Sequence, residues 1–93
     1  MLLDIISAIT DKKRIEFTYK GTKRTLEPYL IGINKTGELM LRGFEISPTN
    51  SKLKLFKVSE MTDIKVTATS FLFAHSIFSK KDSQIIKVMA VVS

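Results

Sequence analysis

General acid–base or metal chemistry needs titratable side chains gathered in pairs or threes, and this sequence offers few. Its glutamates, Glu16, Glu27, Glu38, Glu45 and Glu60, are spread singly, without the paired carboxylates that glycoside hydrolysis uses. They read as solvated or locally paired surface charges. The single histidine, His75, lies in an irregular stretch beside Phe73 and Phe78 with no acid nearby, so it reads as a surface or structural residue. The absence of cysteine excludes disulfides, thiolate metal sites and cysteine nucleophiles. One histidine leaves zinc or haem short of ligands. Gly21, Gly32, Gly37 and Gly43 are isolated, so no glycine-rich loop cradles a phosphate. No nucleophile–base pair and no cofactor site emerge, and the expectation is a protein without catalysis.

Cations beside aromatics carry more. The 93 residues hold 15 Lys plus Arg against 9 Asp plus Glu, a net charge of +6, which favours polyanionic or acidic partners. Residues 12–24 sum to +5 (Lys12, Lys13, Arg14, Lys20, Lys23 and Arg24 against Glu16) and residues 52–57 to +3. If the fold joins these two stretches, they form one basic patch able to bind phosphates by ion pairing and counterion release. The alternative is that strand-end lysines guard against edge pairing. Between the stretches, Met40, Arg42, Phe44 and Ile46 alternate with Leu39, Leu41 and Gly43. With the leucines inward, Arg42 and Phe44 project side by side onto the outer face or barrel mouth. Lys54 shares a face with Phe56 and Val58, and Lys57 with Leu53 and Leu55. A cation beside an aromatic suits a stacked base and its phosphate. Tyr19 and Tyr29 are further stacking candidates, whereas Phe56 reads as core.

Those residues need a scaffold, and the hydropathy pattern supplies one. Leu2, Ile5, Ile6 and Ile9 fall at helical spacing, followed by Lys12, Lys13 and Arg14, whose charge suits a helix C-terminus. Ile15, Phe17 and Tyr19 alternate with Glu16, Thr18 and Lys20 as a half-buried strand. A turn at Lys20-Gly21 leads to a second strand, about Lys23 to Ile33, where Pro28 requires an edge, bulge or bend. Asn34 to Gly37 is the next turn, Glu38 to Ile46 the third strand, Ser47 to Ser51 a loop, and Leu53 to Val58 the fourth strand. A helical or 3₁₀ turn over Ser59–Asp63 precedes a fifth strand, Ile64 to Ala68. Phe71 to Gln84 has no clean period. Ile85 to Val92, rich in β-branched residues, reads as a final strand that can add to a neighbouring molecule.

With 93 residues this is one domain, spanning 1–93, whose core buries roughly 60–65% of the unfolded surface. One helix followed by five short antiparallel strands is the order of the Sm-like members of the SH3-like barrels, a mainly β (α+β) fold with a C-terminal extension strand. No segment approaches the ~20 apolar residues of a membrane span. The basic residues follow the first apolar run, whereas a secretory signal has them before it. A cytoplasmic protein is expected.

Taken in order, these motifs resemble the WYL domain. Ile15-Glu16-Phe17-Thr18-Tyr19, Gly21, Arg24-Thr25-Leu26-Glu27-Pro28 and Leu30-Ile31-Gly32 look like its opening strand, turn and Arg-x-x-Glu-Pro segment. Gly37 to Phe44 looks like the strand that names the family, and Leu53-Lys54-Leu55-Phe56-Lys57-Val58 with Met61 and Ile64 like its next block. The tail, through Phe78, Lys81-Asp82 and the last apolar strand, looks like that of small stand-alone members. The resemblance covers nearly the whole chain. It implies an Sm-like barrel from a bacterium or phage, acting as a ligand-binding regulatory module of the sort attached to helix-turn-helix transcription factors and found in phage defence. The implied ligands are nucleic acid, above all single-stranded DNA or RNA, or nucleotide-like molecules, and the positions matching the family's site are Tyr19, Arg24, Arg42, Lys54 and Lys57.

The sequence departs from the family at two places. The Trp-Tyr-Leu triplet is Leu39-Met40-Leu41, and two positions usually held by arginine are Lys54 and Lys57. Lysine lacks the bidentate fork, so the site is expected to be weaker or altered. Without a preceding helix-turn-helix, sequence-specific duplex reading by this chain alone is not expected. The candidate binding residues are therefore Tyr19, Arg24, Arg42, Phe44, Lys54 and Lys57, with no metal. The alternative is a protein-interaction or homodimerising module that uses a barrel edge or the Ile85–Val92 segment.

Overall fold

The computed structural model describes residues 2–93. It is mainly β with one N-terminal helix, as expected. Helix α1 spans Leu2–Asp11 and strands β1 to β6 span Lys13–Tyr19, Thr22–Ile33, Leu39–Glu45, Lys52–Lys57, Met61–Ser70 and Lys87–Val91. The ladder runs antiparallel in the order β4-β3-β2-β1-β5, with β6 pairing off β2. A 3₁₀ turn, Val58–Glu60, joins the strands at the two ends of this path. The result is a small barrel-like sheet.

Helix α1 forms because Ile5, Ala8 and Ile9 recur on one face, and that face packs on β1, β2, β5 and β6. The same core takes in Ile15, Phe17, Leu26, Ile31, Leu41 and Phe56, the inward halves of period-two strands. Lys12 ends the helix at φ 54°, and Lys13 and Arg14 already belong to β1. Of the three basic residues, Lys12 alone thus stays beside the helix end.

Turn chemistry fixes the register. Lys20 and Gly21 carry φ of 52° and 75° and link Tyr19 directly to its partner Thr22, a two-residue hairpin whose left-handed central pair matches strand twist. Pro28 lies opposite Gly43, and the register slips between Pro28 and Leu30, so of edge, bulge and bend the structure takes the bulge. β2 can then turn and hold three neighbours: β1 near its start, β3 further along, and β6 over Leu30–Ile33.

Several boundaries differ from those read off the pattern. β5 covers Met61–Ser70, not Ile64 to Ala68, and the 3₁₀ turn precedes it at Val58–Glu60. Asp63 sits at φ 52° and the β1–β5 register shifts twice. These irregularities break the face sharing of Ile64, Val66 and Ala68, and Val66 is exposed. The final strand finds its partner within the chain: Leu30 pairs Val91 and Ile31 pairs Ala90. Phe71 to Gln84, which has no clean period, and the first two residues of the expected final strand, Ile85 and Ile86, contain neither helix nor strand and lie as a strap against β2 and β3.

Candidate functional site at the barrel rim

Register places three charged residues on the core-facing side of the sheet. Arg24 lies opposite Phe17, Glu45 opposite Leu26, and Lys54 opposite Gly43, and directly opposed residues share a face. They meet at the rim. Glu45 accepts from Arg24 Nη1 at 3.3 Å and from Lys54 Nζ at 2.6 Å. Glu45 is locally paired, one of the two expected alternatives, but at 7% exposure it is buried and not a surface charge. Its position two residues beyond Gly43, in step with Leu39 and Leu41, was the signal for an inward side chain.

Beneath this trio is an aromatic floor. Phe56, buried as expected, meets Phe17 and Tyr19 edge-to-face at centroid distances of 5.1 and 4.9 Å, contacts worth about 0.5–1.5 kcal/mol each beyond burial. The Arg24 guanidinium stands 5.8 Å from the Tyr19 ring and 5.9 Å from Phe56, within cation–π reach. Among the described residues, Arg24 Nε is a buried donor with no acceptor. Tyr19 is half-buried, and its hydroxyl accepts the Lys57 backbone N–H at 3.1 Å.

Lys57 lies to one side, its Nζ 2.8 Å from Glu38 and 3.8 Å from Glu60. Lys57, then Asn34 and Thr36, bond the Glu38 carboxylate and hold its pKa down at about 2. Glu38 in turn raises the pKa of Lys57. Arg42 and Phe44 do share the outer face, but the strap covers them. Arg42 Nε donates to Asp82 at 2.7 Å, and Phe44 stacks on His75. Tyr29 is no stacking platform. It is fully buried, donates to Glu27 at 2.6 Å and accepts the His75 backbone N–H at 2.9 Å.

The candidates therefore divide. Tyr19, Arg24 and Lys54 gather with Glu45 and Phe56, Lys57 adjoins them through Tyr19, and Arg42 with Phe44 forms a separate covered pair. Ion pairing tempers the expected patch: Glu45 offsets one of its two cations, and Glu38 and Glu60 flank Lys57. Among the described residues no three histidine, cysteine or carboxylate side chains cluster as metal ligands. No helix in that range is long and apolar enough to cross a membrane.

No family model matches the sequence, and no curated protein matches it. The fold is similar to part of the proteasome accessory factor B/C (PafBC) of Arthrobacter aurescens, with a TM-score of 0.70 and 24% identity. The match covers 85% of this chain and 13% of that one, so this chain corresponds to a small part of the larger protein. The likeness bears on the fold.

Proposed function

We propose that this chain is a WYL-like regulatory module that binds a phosphate-bearing ligand at the barrel rim without chemistry. The ligand class is single-stranded DNA or RNA, or a nucleotide-like molecule. Arg24 and Lys54 meet phosphates, Lys57 adds charge at the side, and Tyr19 lends a ring to a base. Arg42 and Phe44 serve a ligand of the same class on the outer face. The unit is a single domain of residues 1–93, working in the cytoplasm. The ordered WYL-like motifs and the PafBC-like fold support the module class.

One observation carries the assignment of the rim. Arg24 lies over two aromatic rings with a charged donor left unfilled. An unmet buried donor costs about 1–3 kcal/mol, and a ligand oxygen that draws the guanidinium outward relieves it. Glu45 draws Arg24 and Lys54 together at the rim, where an arriving anion can meet both.

Fluorescence anisotropy of labelled single-stranded DNA and RNA at two salt concentrations tests this reading. Binding should weaken with salt, and Arg24→Ala with Lys54→Ala should lower the slope of log K against log salt by about 1.4, two contacts at ~0.7 each. An unchanged slope and affinity in the double variant would remove the rim assignment.

The second reading, a protein-interaction module, draws on β6. Val88, Met89 and Val91 are exposed on a strand that β2 holds along one edge, and Ile86, just before it, is exposed too. Under this reading the free edge and these side chains meet a partner protein or a second copy.

A further inference from the structure

The outer face of β3 offers a guanidinium and an aromatic ring, and one stretch of the strap fills both. Asp82 sets its two carboxylate oxygens against Arg42, Oδ2 2.7 Å from Nε and Oδ1 3.3 Å from Nη2. This is the two-point grip with which arginine also holds phosphate. The pair is largely shielded, at 17% and 8% side-chain exposure, and Arg42 lowers the Asp82 pKa. Seven residues earlier, the His75 ring lies parallel to Phe44 at 10°, with centroids 4.3 Å apart. A nucleobase stacks on an aromatic side chain in the same way.

Beside Arg42 is a cavity of about 300 Å³, bordered also by Leu53, Phe78, Lys81 and Ser83. Lys81 is exposed there, a second cation within the same border. The strap's hold is local. Its ends are tied by the Phe71 N–H to the Lys12 carbonyl and the Ile86 N–H to the Ile33 carbonyl, each 2.9 Å. Phe71 and Ile85 are buried anchors, whereas Leu72, Phe73 and Ile77 are exposed at 79%, 75% and 57%. Between the anchors, Ala74 and Phe78 pack on the core, Phe78 meeting Tyr29 at 5.0 Å, and the Tyr29 hydroxyl accepts the His75 backbone N–H, so local opening parts these few contacts while the anchors hold.

We infer that residues 72–83 are an internal mimic of the ligand, with Asp82 standing where a phosphate binds and His75 where a base stacks. Arg42 and Phe44 are then a site that opens when the strap lifts, and the strap lowers apparent affinity in proportion to the time it stays down. The inference rests on the ligand class given above, and it adds the regulation of the outer-face site.

Asp82→Ala and His75→Ala are the variants, with a fluorescein-labelled oligodeoxythymidylate as probe and AMP as competitor. Either substitution should tighten oligonucleotide binding, Asp82→Ala by about tenfold if the strap is down some nine-tenths of the time. Adding Arg42→Ala should abolish that gain. No gain in either variant, or a gain that survives Arg42→Ala, overturns the inference. Repeating Asp82→Ala in the Arg24→Ala, Lys54→Ala background separates the two sites. A gain that persists there supports the strap even if the rim assignment falls. Loss of the gain there, with Arg42→Ala without effect, overturns the strap and leaves the rim.

Discussion

Glu45 Oε1 lies 2.6 Å from Lys54 Nζ, while Oε2 of the same carboxylate lies 3.3 Å from Arg24 Nη1. One buried acid thus pins two cations from strands on either side of β3, and it sets both the shape and the charge of the rim. Without it, two like charges would share a half-buried end of the core.

Glu45→Gln tests this arrangement. The amide keeps the shape and loses the charge, so stability should fall by about 1–3 kcal/mol. Oligonucleotide affinity should rise by roughly fivefold, since one repelling charge near the phosphates is worth about 1 kcal/mol. A variant that is less stable and binds no better would show that Arg24 and Lys54 serve structure alone.

Tyr29 ties the strap to the sheet through its hydroxyl, bonded to Glu27 and to the His75 backbone. Tyr29→Phe should cost about 1–3 kcal/mol in a urea unfolding series. Burial, then the bond to Glu27, pushes this phenol's pKa well above its ordinary 10.0. A raised folded pKa means that the stabilisation is whole below 10 and drains away as pH climbs beyond it. The phenylalanine variant should lack this part of the alkaline loss. Identical alkaline profiles would contradict the assignment.

Glu38, alongside Asp82 held down by Arg42, acts on the acid side. Its pKa falls from an ordinary 4.5 to about 2, so its contribution is full above 4.5 and is lost as pH falls from there towards 2. Glu38→Gln should flatten the stability–pH curve in that window, measured by urea midpoints. A curve as steep as that of the unaltered protein would place the acid sensitivity elsewhere.

Gly32 lets β6 close on β2. A Cβ there would overlap the Lys87 carbonyl oxygen and come within 2.6 Å of Ile85 Cγ2. Gly32→Ala should therefore cost about 1–3 kcal/mol and speed amide exchange over Lys87–Val91 while the β1–β2 hairpin stays protected. Uniform exchange across the sheet would show that β6 is not a separable element.

Much of this scaffold was legible in the sequence because it rests on short periods and turn residues. Leu2 to Ile9 recur as a helix, Ile15 and Phe17 alternate as a strand, and Lys20-Gly21 fits its hairpin. What escaped depends on contacts distant in sequence. Arg42 reads as a surface cation until the chain returns 40 residues later with Asp82. Tyr29 reads as a surface ring on a strand with one open face, whereas Phe71 and Phe78 both pack against it. β5 outran its pattern because two register shifts, one at Asp63 and one between Val66 and Ser70, interrupt the period of two on which the reading depended. Glu45 was within reach, in step with two inward leucines, but glutamate is seldom buried unpaired and its partners became visible only with the register.

The most direct test of the rim assignment is an NMR titration of ¹⁵N-labelled protein with oligodeoxythymidylate at low salt. The account predicts shifts concentrated at Tyr19, Arg24, Glu45, Lys54 and Lys57, fading as salt is raised. Shifts confined to β6 and its exposed residues, or none at all, would contradict it and favour the protein-interaction reading.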